Sequence, residues 1–139
     1  GAVILVALFQ LGGVPKGATG EYFATIAAGK MGGTASALFF KGMLCNMLVC
    51  LAVWCCTKLK TESGKLIMIF WCIYIFMACG FEHSIANMSV MAVGLLNGAG
   101  VEGVSIAGYF HNLLWVTLGN VAGGALLVAF PYYIIQKEK

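Results

Sequence analysis

Gly80, Glu82, His83, Ser84 and Asn87 stand close together inside an otherwise apolar stretch running from Leu66 to about Leu96. A carboxylate, an imidazole and an amide at membrane depth are costly, and are tolerated mainly where they face a bundle interior or a water-filled path. His83 admits four kinds of chemistry. A satisfied core histidine is the bland one. Haem ligation wants an axial partner, and the only other imidazole, His111, belongs to a wet interfacial segment. Catalysis needs a serine–histidine–acid or metal–carboxylate set, and none stands nearby. A proton-exchanging or hydrogen-bonding group in a permeation path needs only an imidazole at a gap in the helix. The surroundings favour this last reading. Glu82 points to another face of any helix than its neighbour, so it is expected to brace backbone or an adjacent element instead of pairing with His83.

The gap follows from length. Residues 66–96 as one helix would extend roughly 45 Å, against a hydrocarbon core of about 30 Å. The segment therefore reads as a broken helix with Glu82 and His83 at the break. Two half-helix ends inside a membrane make an ion or substrate site, because dipole ends and unsatisfied backbone groups point into it.

Composition sets the class. Hydrophobic residues make up 61% of the 139 and charged ones 9%, where a soluble domain carries about 25% charged. Apolar runs long enough to span a bilayer recur, so the chain is an all-α polytopic membrane protein. The net charge of +3 comes from lysines in short clusters at segment ends, which is no nucleic-acid footprint. Arginine and aspartate are absent. The six cysteines lie in apolar segments without CxxC or His–Cys spacing, so neither a metal site nor a disulfide framework is expected.

In chain order, residues 1–11 read as the end of a membrane helix, and the chain as the second part of a larger protein. Gly12, Gly13 and Pro15 terminate that helix. Residues 12–33 read as an outer loop carrying Lys16, Glu21 and Lys30, with a short helix around Tyr22–Ala28. Residues 35–57 form the next span, with Lys41 snorkelling near its start and Asn46 deeper. A buried amide such as Asn46 serves as interhelical glue or as pore lining. The three lysines within Lys58–Lys65 make a polar turn that the positive-inside rule places in the cytoplasm, and Gln136–Lys139 agrees. Lys16 and Lys30 dissent; a solvated loop lysine is the commoner case, but the exception hints at a task for Lys30. The loop at 97–106 has an acid and no lysine, as expected outside. Tyr109, Phe110 and Trp115 read as an interfacial aromatic cluster and Asn112 as the N-cap of the last span, 113–135. Within that span Gly119, Asn120, Gly123 and Gly124 let helix backbones approach closely. Gly1–Ala7 also echoes Gly124–Phe130, a trace of the inverted repeat common in transporters.

Taken together, the run Gly-Phe-Glu-His-Ser-Ile-Ala-Asn-Met at 80–88, Leu-Cys-Asn-Met-Leu-Val-Cys-Leu-Ala-Val-Trp at 44–54 and Val-Thr-Leu-Gly-Asn at 116–120 resemble the formate/nitrite transporter family, which includes hydrosulfide channels. The resemblance covers the whole chain but only the family's second half, from the end of the third helix through the sixth. It implies an aquaporin-like protomer of six helices with inverted repeats, two of the helices broken, assembled as a homopentamer in a bacterial or archaeal inner membrane. No cofactor is implied. His83 matches the family's central pore histidine, Lys30 its outer-vestibule lysine and Phe76 a constriction phenylalanine. Asn46 and Asn87 match the amides beside the histidine, with Glu82 and Asn120 in support. Trp115 stands where many members have proline, so the helix there is expected to differ.

The implied activity is passage of small monovalent weak-acid anions: formate, nitrite or hydrosulfide. A bare anion crosses an apolar constriction only at high cost, and desolvation favours the conjugate acid. Protonation, with His83 as hydrogen-bond donor or proton source, would let the neutral acid pass, while Lys30 gathers anions in the outer funnel. The alternative is a membrane anchor or haem-bearing subunit of a redox enzyme, which a Soret band would reveal.

Overall fold

The computed structural model describes residues 1–98 and 100–137. Ala99, inside the expected 97–106 loop, and Glu138 and Lys139 of the C-terminal charged cluster lie outside the described residues. Among the described residues seven α-helices follow in order: α1 (Ala2–Leu11), α2 (Ala18–Met31), α3 (Ala35–Lys58), α4 (Glu62–Ala78), α5 (Ser84–Asn97), α6 (Ile106–Ala122) and α7 (Phe130–Lys137). A π-helical segment, Gly123–Ala129, joins α6 to α7 without interruption. By length and composition α3 and the continuous helix Ile106–Lys137 are each able to cross a membrane, both with mean hydropathy 1.9.

Three boundaries differ from those expected. The segment 12–33 is mostly helix: α2 occupies fourteen of its residues. Its buried face is Gly20, Ala24, Ala27 and Met31, a stripe of mainly small side chains. Small residues give little hydropathy signal although they pack closely. The polar turn after α3 is shorter than Lys58–Lys65, because Thr61 caps α4 by accepting from the Gly64 amide at 3.3 Å. Glu62 and Lys65 therefore sit in the first helical turn and pair at 2.8 Å. The last helix begins at Ile106, with the Ser105 hydroxyl accepting from the Gly108 amide at 3.0 Å. Asn112 is thus inside the helix and is not its N-cap. The helix passes through Trp115 uninterrupted.

The π-helical turns have a local cause. Pro131 lacks an N–H and its ring excludes an ordinary carbonyl position four residues earlier. A wider register just before it avoids that conflict.

The chain divides into two compact units. The first comprises Gly1–Ala37 and Ser84–Trp115. Its core is Ala27, Met31 and Met91, with Leu95, Val104, Tyr109 and Leu113 packed against them. Gly94 of α5 lies so close to α2 that an added Cβ would collide with the Ala27 side chain.

The second unit comprises Leu38–His83 and Val116–Lys139. Here α3 and α6 touch through glycine. A Cβ on Gly42 would come 2.7 Å from the Val116 carbonyl, and one on Gly119 or Gly123 would strike the carbonyl of Phe39 or Met43. Trp54 stacks on Tyr132 at 4.4 Å between ring centroids.

Candidate functional site

In the second unit the site is built around the end of α4. Cys79 is the last capping residue, and Gly80 has φ +63°, a left-handed conformation that suits glycine. The Phe81 amide donates to the Phe76 carbonyl at 2.9 Å and the Gly80 amide to Met77 at 3.1 Å. These two bonds form a Schellman stop. Phe81, Glu82 and His83 then run without helix until α5 opens at Ser84.

Those residues need other partners for their backbone. The Glu82 amide donates to the Lys41 carbonyl of α3 at 3.4 Å. The Glu82 carbonyl accepts from Asn120 Nδ2 of α6 at 3.0 Å. The same Nδ2 donates to the Gly42 carbonyl at 2.8 Å, and Asn46 Nδ2 donates to the Asn120 carbonyl at 2.6 Å. Two amides on facing helices therefore bind each other's helix reciprocally. Glu82, buried at 6% exposure, is braced through its backbone.

At the end of the break the His83 ring stacks on Phe76, 5.9 Å between centroids at 28°. Both rings line a cavity of about 620 Å³. Val49, Ala52, Ile69 and Ile73 supply its apolar wall, and Cys56, Thr57 and Lys65 add polar groups. An imidazole against an aromatic ring, reached through an apolar cavity, can present a hydrogen bond to a small solute stripped of water while offering a bare ion little else.

In the first unit the amides form a second chain. Asn87, 2% exposed, donates from Nδ2 to Asn112 Oδ1 at 2.9 Å. Asn112, fully buried, donates onward to the Lys30 carbonyl at 2.9 Å. Lys30 lies half-buried in the last turn of α2, where a cation is favoured by the helix dipole. His111 Nε2 lies 3.2 Å from the Gly33 carbonyl, and the Tyr109 hydroxyl donates to the Met88 carbonyl at 3.3 Å.

The structure thus joins His83 to Phe76, Asn46 to Asn120 and Glu82, and Asn87 to Lys30 through Asn112. The cavity wall and the buried role of Asn112 were not foreseen. Ser105 just ahead of an apolar run was the available signal for the latter, since a serine there starts the helix early enough to place Asn112 inside. Among the described residues no group of three or more His, Cys, Asp or Glu is placed to hold a metal.

Comparison with known proteins agrees with this architecture. Residues 1–134 match the family described as Formate/nitrite transporter. The nitrite transporter NirC of Escherichia coli is 48% identical over 110 residues, covering 78% of this chain and 40% of that protein. A solved "FNT family ion channel" superposes with a TM-score of 0.86 at 37% identity, over 96% of this chain and 53% of its own. A "Pentameric formate channel with formate bound" does so at 0.87 and 26% identity, over 97% and 60%. The chain therefore spans roughly two fifths to three fifths of these relatives, and its all-helical fold is that of aquaporin-like membrane channels. The matching family and relatives are transporters and channels, not enzymes.

Proposed function

Because the chain belongs to the formate/nitrite transporter family, we propose that the protein of which it forms part conducts small monovalent weak-acid anions across a membrane. Formate and nitrite are the first candidates, being what similar proteins are named for; hydrosulfide is a third of the same chemistry. The observation that carries this reading is His83 stacked on Phe76 at an apolar cavity beside the helix break. Phe76 narrows the path and excludes the hydrated ion. His83 donates a hydrogen bond, or a proton, to the dehydrating anion, so that the neutral acid passes. Lys30 attracts anions at the outer mouth, and Asn46 and Asn87 line or support the route. The active form is a homopentamer, one pore per protomer, in a bacterial or archaeal inner membrane. Its C-terminus is cytoplasmic, so alkaline phosphatase fused there should be inactive; an active fusion reverses the orientation.

The test is flux of formate, nitrite and hydrosulfide into liposomes holding the full-length protein. His83→Phe should abolish selective, saturable flux while the pentamer still forms. Wild-type rates in the variant would remove His83 from the mechanism. No flux of any of the three through well-formed wild-type pentamers would remove the channel reading itself.

A further inference from the structure

His83 is the last residue before α5 resumes, and it is joined to the break through the Glu82–His83 peptide group. The Glu82 carbonyl and the His83 amide share one rigid plane, so whatever fixes that carbonyl fixes the direction in which the His83 residue leaves the break. The carbonyl is gripped by Asn120 Nδ2 at 3.0 Å.

Asn120 is itself aimed with little freedom. Its one amide nitrogen carries two hydrogens, and both are used: one for Glu82 and one for Gly42 at 2.8 Å. Its own carbonyl receives Asn46 at 2.6 Å. Gly42 leaves the room required, since a Cβ there would lie 3.2 Å from Asn120 Nδ2. In a residue buried to 9% exposure, a side-chain nitrogen bonded to two backbone carbonyls and a main-chain carbonyl bonded to Asn46 together restrict the amide closely.

We propose that Asn120 is a positioning residue for His83, acting through the Glu82–His83 peptide, so that the direction of the imidazole is set from α6. The proposal rests on the role given to His83 above. It requires two donors at one atom, facing two carbonyl oxygens. Asparagine supplies them; an ionised aspartate of the same shape supplies none and repels both oxygens. A neutral aspartic acid supplies one.

That difference gives the experiment. Asn120→Asp and Asn120→Leu would be made in the full-length protein and reconstituted in liposomes. Formate flux and the carbethoxylation rate of His83 by diethyl pyrocarbonate, read by peptide mass spectrometry, would be followed between about pH 5 and 8, a range bracketing the ordinary imidazole value. Ionisable side chains on the elements around Asn120 are Lys41, Cys45 and Cys50 on α3 and Glu82 and His83 at the break; α6 contributes none between Val116 and Gly124. These are common to wild type and both variants, so each rate is taken as a ratio to wild type at the same pH.

The expected result is a flux loss of tenfold or more in both variants near pH 8, with His83 reactivity changed at least threefold and His111, the internal control, unchanged. As the pH falls the Asp variant recovers toward wild type and the Leu variant does not. Wild-type flux and His83 reactivity in both variants would overturn the proposal. So would equal changes at His83 and His111, which mean a general loss of structure. If wild-type protein carries no formate, the channel reading fails, and the His83 reactivity ratios still decide whether Asn120 orients the imidazole.

Discussion

Asn112 shows how much a single amide can hold. It accepts from Asn87 and donates to the Lys30 carbonyl while fully buried. Leucine is close to asparagine in volume but can do neither, so Asn112→Leu strands a donor on Asn87 and an acceptor on Lys30. Each stranded buried group costs about 1–3 kcal/mol. The variant should therefore unfold at lower temperature or denaturant than wild type, which fluorescence-detected melting of the purified protein would record. An unchanged midpoint would mean that water or another group takes both bonds. His83 differs in kind. Its ring is packed against Phe76 and borders an open cavity, so replacement there is expected to alter transport more than stability.

At the scale of elements, the approach of α3 to α6 depends on having no side chain at Gly42, Gly119 and Gly123. The same approach brings Asn46 and Asn120 within hydrogen-bond range. Gly119→Val would push against the Phe39 backbone, which cannot rotate away as a flexible side chain could. Overpacking of this kind costs typically 1–3 kcal/mol and sometimes more. The expected outcome is a lower yield of folded protein and, in what does fold, a longer Asn46–Asn120 contact and reduced flux. Normal yield with normal flux would show that α6 shifts to absorb the branch. The stop of α4 is equally local: Gly80 in the left-handed region and two backbone bonds close the helix, and the next three residues are held by other helices through Glu82. A broken helix is thus a built feature, with its loose backbone groups assigned to partners.

At the scale of the whole molecule, long-range electrostatics bears on the role proposed for Lys30. A fixed cation at the mouth of a pore raises the local concentration of anions, and that attraction is screened over about 8 Å at physiological ionic strength. Lys30→Gln should slow formate entry several-fold in dilute buffer, with the two proteins converging as salt is raised. A deficit that persisted at high salt would instead point to Lys30 acting by direct contact or through its place at the end of α2. The proposed pentamer and the half of the relatives' length beyond this chain bear on the same measurement, since the proposed outer funnel would belong to the assembled protein.

Much of this was written in the order of residues alone. An apolar composition with 9% charge dictates membrane helices. A stretch too long for one straight crossing, interrupted by Gly80, Glu82 and His83, dictates a break, because glycine frees the backbone and polar groups will not sit against lipid. The glycine pattern of α6 likewise announced a close helix contact before its partner was known. What local order could not announce was anything that depends on a partner distant in the chain. Helix α2 was missed as a full helix because its packing face is Gly20, Ala24, Ala27 and Met31, whose value appears only when Gly94 is laid against it. Asn112 read as a helix cap because a polar residue beside an apolar run has no visible partner; Asn87 and Lys30 lie 25 and 82 positions away. The hold on the Glu82–His83 peptide likewise needs Asn120, 38 positions on. Composition and spacing determined which groups must find partners in a membrane. Only the tertiary structure decided which partners they found, because hydrogen bonds and steric contacts act over a few ångströms in space and are indifferent to separation along the chain.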